Sequence, residues 1–101
     1  MSERIPNVTP GEILKEEFLD PMNITSYRLA KDTGMPPTRV SQILKGRRRI
    51  TADTALRLGR YFGNSADFWL GIQDEFDLRA EEERLEDDLE QITPASVARS
   101  T

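Results

Sequence analysis

The chain has 101 residues, 37% of them hydrophobic and 32% charged, with a formal net charge of −4, and this length predicts a single domain with a modest core. Because it contains no cysteine and no histidine, disulfides, thiolate metal sites, cysteine nucleophiles and imidazole bases are excluded, and we expect no catalytic residue, no metal site and no cofactor. No apolar run approaches the roughly 20 residues of a membrane-spanning helix and no apolar stretch opens the chain, so a cytoplasmic protein is expected.

The first helix is predicted to follow a loose arm at residues 1–8. Thr9 and Glu12 have the spacing of a capping box, in which two side chains bond the free N–H groups at the start of a helix. Pro10 suits the first helical position because its fixed φ is already helical. Pro21 ends the helix, since the residue before a proline disfavours the helical conformation.

Two short helices joined by a tight turn come next. Thr25 is the expected N-cap of the second helix, at about residues 26–33, and Gly34 ends it because glycine accepts a positive φ. A pair of prolines opens the third helix, at about residues 37–45, and Gly46 ends it.

Two further helices complete the predicted domain, residues 9–79. Thr51 is the expected N-cap of the fourth helix and Ser65 that of the fifth, and each is followed by an aspartate near the positive end of the helix dipole. No stretch alternates as a half-buried strand does, so the predicted fold class is all-α, with five helices. The apolar positions of these two helices are Ala55, Leu58, Gly59 and Phe62 in the fourth and Phe68, Trp69, Ile72 and Phe76 in the fifth.

An acidic tail, residues 80–101, is predicted to be helical at first and disordered from residue 93. Apolar residues in it and just before it recur at intervals of four and seven, which is typical of an a/d-like stripe on a charged helix. We expect this stripe to bind a partner while the acidic side chains face a basic surface; a solvated helix face is the alternative. The stripe consists of Leu78, Leu85, Leu89 and Ile92.

Charge is distributed unevenly along the chain. Residues 1–23 carry two basic and five acidic residues (net −3), residues 24–60 nine basic and two acidic (net +7), and residues 61–101 three basic and eleven acidic (net −8). A basic middle between acidic ends predicts two surfaces for two different partners. The basic block coincides with the second and third helices and the loop after them.

The second and third helices have the residue spacing of a helix-turn-helix. A small alanine allows the helices to approach each other, a glycine turns the chain, and branched residues face inward. The spacing resembles the DNA-binding motif of phage repressor and Cro-type regulators, although small residues and glycines recur in many helix hairpins. The predicted core of the motif is Leu29, Ala30, Gly34, Val40 and Ile43.

The opposite side of the third helix carries polar groups suited to a DNA groove. Gln42 offers a donor and an acceptor to adenine, Arg39 can fork onto guanine O6 and N7, and the first turn of such a helix enters the major groove deepest. A domain this small predicts a homodimer on double-stranded DNA with inverted half-sites about 34 Å apart or a multiple of that. The predicted base-reading residues are Pro37, Thr38, Arg39, Ser41 and Gln42, and the predicted phosphate-binding residues are Ser26, Lys45, Arg47, Arg48 and Arg49.

Longer segments resemble HigA-type antitoxins, which are also known as VapI-like addiction-module antidotes. They include PGEIL at residues 10–14, ITADTALRL at residues 50–58 and FWL at residues 68–70, and the resemblance covers about residues 10–78. The two prolines before the third helix and the long acidic tail depart from the family pattern. The resemblance implies a five-helix repressor-like domain that dimerises on its own operator. It also implies a neighbouring HigB-type toxin, a small basic ribonuclease that the antitoxin inactivates by direct binding.

Two other functions remain open from the sequence. The first is a solitary repressor-like regulator, which has the same DNA chemistry but no toxin partner. The second is a helical protein-interaction module that has lost DNA binding. An enzyme must rely on carboxylates, hydroxyls and amines alone. Neighbouring carboxylates such as Asp87 and Asp88 point apart on a helix within solvated runs, and no glycine-rich phosphate loop is present, so we expect no enzymatic activity.

Overall fold

The first helix begins at the capping box predicted from the sequence. In the computed structural model, which describes residues 7–95, Glu12 N donates to Thr9 Oγ1 at 3.1 Å and Thr9 N donates to Glu12 Oε1 at 2.8 Å. Helix α1, Pro10–Ile13, continues directly as a π-helical segment, Leu14–Leu19. The sequence does not predict this wider winding, which buries the first and last leucine of the segment.

Helices α2 and α3 form the predicted helix-turn-helix. α2 covers Ser26–Thr33 and α3 covers Pro37–Leu44. Thr25 Oγ1 accepts a hydrogen bond from Arg28 N at 3.1 Å, as expected of an N-cap. Gly34 follows α2 with a φ of +74°, which is a left-handed conformation that favours glycine. The predicted helices and the turn between them are confirmed to within one residue.

A tight turn joins the next two helices. α4 covers Ala52–Phe62 and α5 covers Ala66–Arg84. The side chain of Ser65 caps α5 as predicted. Thr51 occupies the N-cap position of α4, but its side chain makes no capping hydrogen bond, so the prediction of a threonine side-chain cap is wrong. Only the backbone carbonyl of Thr51 takes part, accepting from Ala55 N at 2.8 Å.

The hydrophobic core contains an aromatic cluster between the π-helical segment, α4 and α5. Trp69 is fully buried, and its Nε1 donates to Asn64 Oδ1 at 2.8 Å. The rings of Phe18 and Phe62 lie 4.8 and 5.9 Å from the Trp69 ring, centre to centre. Burial of large aromatic surfaces is a main source of stability for a domain with so few core residues.

Two glycines allow close approaches of the backbone. A Cβ at Gly11 would overlap the backbone carbonyl of Ile43, so glycine is needed for α1 to pack on α3. A Cβ at Gly59 would lie 3.0 Å from Ala66 N, where the chain turns from α4 into α5. The close approach at Gly11 therefore packs α1 directly against α3.

The acidic C-terminal part is helical but interrupted. α5 continues without a break through residues 79 and 80, the predicted boundary between the domain and the tail, and a short helix α6, Glu86–Glu90, follows it. Leu85 lies between the two helices and Ile92 lies beyond α6, so the prediction of one helix carrying the whole apolar stripe is wrong. Acidic residues four apart repel each other along a continuous helix. A new helix instead places three of them at its positive end.

The predicted loose arm and disordered end fall mostly on residues 1–6 and 96–101, which lie outside the described residues. Of the arm, Asn7 is described, and its Nδ2 donates to the backbone carbonyl of Phe76 at 3.0 Å. This bond connects the chain just before α1 to α5.

Candidate DNA-binding surface

The inner residues of the helix-turn-helix are buried and hold α3 against α2. Met35, in the turn between the helices, is buried with them, although the sequence analysis did not single it out. Because close packing leaves these side chains little freedom, the outer side of α3 is a rigid surface. The buried predicted core residues are Leu29, Ala30, Val40 and Ile43. Gly34 is exposed, because it forms the turn between the helices, so its prediction as a core residue is wrong.

The predicted base-reading residues occupy the first two turns of α3. Pro37 and Thr38 are exposed, and Arg39, Ser41 and Gln42 are half-buried. Polar side chains that are already restrained lose less conformational entropy when they bind a ligand. Arg39, Ser41 and Gln42 thus form the restrained part of a short polar surface on α3.

The predicted phosphate-binding residues flank this surface. Ser26 is exposed at the first position of α2, beside the free N–H groups of the positive helix end. Lys45 and the arginine segment, defined as Arg47, Arg48 and Arg49, follow α3 and are exposed. Arg48 Nε donates to Gln42 Oε1 at 2.9 Å, which places the arginine segment against the outer side of α3.

Helix α5 fixes the end of the arginine segment. Gln73 is buried; its Oε1 accepts from Ile50 N at 2.7 Å and its Nε2 donates to Asp77 Oδ1 at 3.0 Å. Asp77 Oδ2 in turn pairs with Arg49 Nη2 at 2.8 Å. Gln73 and Asp77 belong to the sequence stretch that resembles HigA-type antitoxins, but no role at this surface was predicted for them. The available signal was their spacing, because they follow Trp69 by four and eight residues on the buried side of α5.

A second polar cluster joins the start of α3 to the start of α4. Asp53 Oδ1 accepts from Arg57 Nε at 2.9 Å and from Arg39 Nη1 at 2.7 Å. Arg57 Nη1 also donates to the carbonyl of Thr33 at 2.8 Å. Hydrogen bonds from Arg57, and then from Arg39, hold the pKa of the Asp53 carboxyl below its ordinary value. The carboxylate therefore stays charged at neutral pH and holds both arginines.

A third contact joins α2 to α4. Tyr61 Oη donates to Asp32 Oδ2 at 2.7 Å, and Arg28 Nε donates to the same oxygen at 3.2 Å. The tyrosine hydrogen bond is the main reason why the pKa of Asp32 lies below its ordinary value, and the same bond raises the pKa of Tyr61. The hydrogen bond between Tyr61 and Asp32 thus connects the helix-turn-helix to α4.

Within residues 7–95, no group of three or more carboxylates, histidines or cysteines is arranged to hold a metal ion. No helix in that part of the chain has the length and apolarity needed to cross a membrane.

Residues 14–69 match the family described as Helix-turn-helix. Virulence-associated protein I of Dichelobacter nodosus is 48% identical over 79 residues, which cover 78% of this chain and 73% of that protein. Antitoxin HigA-1 of Vibrio cholerae is 38% identical over 91 residues, covering 90% and 86%.

The chain belongs to the HigA family of helix-turn-helix proteins. A solved structure of Pseudomonas aeruginosa antitoxin HigA with the higBA promoter is similar to it at a TM-score of 0.83 and 37% identity, covering 88% of this chain and 98% of that one. The all-α fold and the resemblance to HigA-type antitoxins are therefore confirmed. The family match ends at Trp69. The matched residues of this HigA-family chain therefore contain the whole helix-turn-helix but not Gln73, Asp77 or the acidic end.

Proposed function

We propose that this chain is the antitoxin of a toxin–antitoxin pair. As a homodimer in the cytoplasm it binds and represses its own promoter, and it neutralises a small basic ribonuclease toxin by direct binding, without catalysis of its own. The observation that carries the DNA-binding part is the contact between Arg48 and Gln42, because it joins the basic arginine segment to the polar side of α3. The solved HigA relative contains promoter DNA on a closely similar fold.

Base recognition is assigned to the first two turns of α3. In the major groove, Gln42 can donate to and accept from an adenine, and Arg39 can donate to both acceptors of a guanine. Thr38 and Ser41 suit either a base edge or a phosphate, and the ring of Pro37 suits a thymine methyl group. These five residues supply discrimination between sequences, and they supply little of the total attraction to DNA.

Phosphate binding is assigned to the two ends of the motif. Ser26 and the free N–H groups of α2 suit one phosphate. Lys45 and the arginine segment suit the backbone on the other side of the groove, where each charge neutralised releases a counterion. Two protomers related by a two-fold axis bind an inverted repeat, because one motif reads too few base pairs to be selective.

The test of DNA binding is a fluorescence-anisotropy titration of the region upstream of the chain's own gene across a series of salt concentrations. Replacing Arg47 and Arg48 by alanine removes two charges from each protomer, so affinity falls for every duplex and the slope of log K against log salt becomes shallower by about 0.9 for each lost contact. The matched control is Arg84→Ala, which removes an exposed arginine from the end of α5. Equal losses in both variants contradict the proposal.

Toxin binding is assigned to the acidic end of the chain. Residues 61–101 carry eleven acidic and three basic residues, net −8, and a ribonuclease must be basic enough to attract RNA. Of the predicted partner-binding residues, Leu78 and Ile92 are 61% and 64% exposed and Leu89 is 45% exposed, while Leu85 is half-buried between α5 and α6. Apolar side chains surrounded by acidic ones suit a basic protein with an apolar groove.

Co-purification with the product of the neighbouring gene tests this assignment. Replacing Leu89 and Ile92 by serine is expected to reduce the amount of toxin retained, because two exposed apolar anchors are lost. Leu56→Ser is the matched control, since Leu56 is 64% exposed on α4 and lies far from Leu89 and Ile92 in sequence. Full retention by the double variant contradicts the assignment to the acidic end and leaves the DNA-binding part untouched.

A further inference from the structure

Three charged residues connect the helix-turn-helix to the start of α4. Asp53 accepts hydrogen bonds from both Arg39 and Arg57, at 2.7 and 2.9 Å, and Arg57 reaches the carbonyl of Thr33 at 2.8 Å. These residues, Arg39, Asp53 and Arg57, are called the Asp53 cluster. The cluster ties the first turn of α3 to the first turn of α4 and to the last turn of α2.

The turn of the motif leaves room for this cluster. Gly34 has a φ of +74°, and a Cβ built on it would lie 3.2 Å from Arg57 Nη1. A side chain at this position would press on the guanidinium group that holds Asp53. Glycine is thus suited to the turn for its backbone conformation and for the space that the arginine occupies.

Exposure indicates that the cluster acts on binding more than on folding. The side chains of Asp53 and Arg57 are 54% and 42% exposed, and ion pairs in such positions contribute little to the free energy of unfolding. The side chain of Arg39 is only 24% exposed, so packing and the hydrogen bond to Asp53 together restrict the rotamers of this long side chain.

We propose that Asp53 is a positioning residue for operator recognition, which it performs by fixing the guanidinium of Arg39 at the start of α3. This inference rests on the proposed DNA-binding function. Asp53 takes one of the five N–H donors of the guanidinium. Fixing the group before DNA arrives lowers the entropy that is lost when its remaining donors meet a base.

Positioning and simple electrostatics predict opposite results for Asp53→Asn. Removing a negative charge beside a DNA-binding surface strengthens binding to all DNA, specific and non-specific alike. Releasing Arg39 weakens binding only to the sequence that Arg39 reads. The quantity that separates the two effects is the ratio of affinities for the specific and the non-specific duplex.

The experiment measures this ratio by anisotropy, using the region upstream of the chain's own gene and a scrambled duplex of the same length and composition. The variants are Asp53→Asn, Arg39→Ala and the two combined. Asp67→Asn is the matched control, because Asp67 is the second residue of α5 as Asp53 is of α4, and it makes no ion pair with another described residue. Thermal unfolding of each variant checks that the fold is retained.

Asp53→Asn is expected to lower the ratio roughly two- to tenfold, which corresponds to freeing one flexible side chain, and Asp67→Asn to leave it unchanged. In the Arg39→Ala background, Asp53→Asn is expected to have no further effect on the ratio. An unchanged ratio in Asp53→Asn, or an equal fall in the Arg39→Ala background, overturns the positioning role. A wild-type chain that does not prefer its own upstream DNA overturns the proposed function itself.

Discussion

Gln73→Met tests whether the buried amide of Gln73 stabilises the fold through its hydrogen bonds to Ile50 and Asp77. Methionine has a similar length but neither accepts from Ile50 N nor donates to Asp77. Ile50 is fully buried, so its N–H loses its hydrogen bond without gaining water, which costs about 1–3 kcal/mol in the free energy of unfolding. For a domain of this size each kcal/mol lowers the melting temperature by about 4–8 °C.

Thermal and urea unfolding followed by circular dichroism measure this loss. Gln91→Met is the matched control, since Gln91 is exposed at the end of α6 and its replacement is expected to change stability by less than about 0.5 kcal/mol. A Gln73→Met variant as stable as the wild-type chain refutes the reasoning.

Gln73→Glu extends the same test to pH. The new carboxylate still accepts from Ile50 N but faces the Asp77 carboxylate, where two like charges close together raise the pKa of the pair. A raised carboxyl pKa means that the folded state binds a proton more tightly than the unfolded chain. The variant is therefore expected to be destabilised at neutral pH and to recover, relative to wild type, as the pH falls. A deficit that does not change with pH contradicts this account of the Asp77 contact.

Two further predictions concern glycines and pH. Gly11→Ala is expected to destabilise the fold by about 1–3 kcal/mol, because the new Cβ would overlap the backbone of α3. Gly71 has open space around it on α5, so Gly71→Ala is expected to stabilise the fold by about 0.5–1 kcal/mol. Melting temperatures of the two variants that equal each other contradict both predictions. The pKa of Asp32 is lowered from 3.8 by the tyrosine hydrogen bond and the pKa of Lys15 is raised from 10.5 by its hydrogen bond to Asp20. The stability contributed by the Asp32 contact is lost as the pH falls below about 4, and that contributed by the Lys15 contact is lost as the pH rises above about 10. A pH series of urea unfolding midpoints is expected to show a plateau between these limits.

Most of the helices could be predicted because their ends depend on local chemistry. The capping box of Thr9 and Glu12 and the positive φ of Gly34 involve residues close together in the chain. Their sequence patterns can therefore be recognised without knowledge of the tertiary structure. The π-helical segment was not predicted, because π-helical winding is rare and its apolar positions were assigned to an ordinary α-helix. Thr51 shows the limit of a local rule, because it has the right type and position for a cap but its hydroxyl makes no capping bond.

The supports of the DNA-binding surface could not be predicted because they join distant parts of the chain. Arg39 and Asp53 are 14 residues apart, and Ile50 and Gln73 are 23 apart. The polar residues of α3 could be selected by subtracting the inward positions of a helix. Which carboxylate or amide restrains each of them depends on how α4 and α5 pack, and periodicity within one helix carries no such information.

A nuclease-protection footprint of the purified chain on its own upstream DNA tests the proposed function most directly. We expect two protected half-sites in inverted orientation, with centres one helical turn, about 34 Å, or a multiple of it apart, and protection that disappears as salt is raised. Uniform protection without a preferred site, or a single isolated half-site, contradicts a dimeric operator-binding protein.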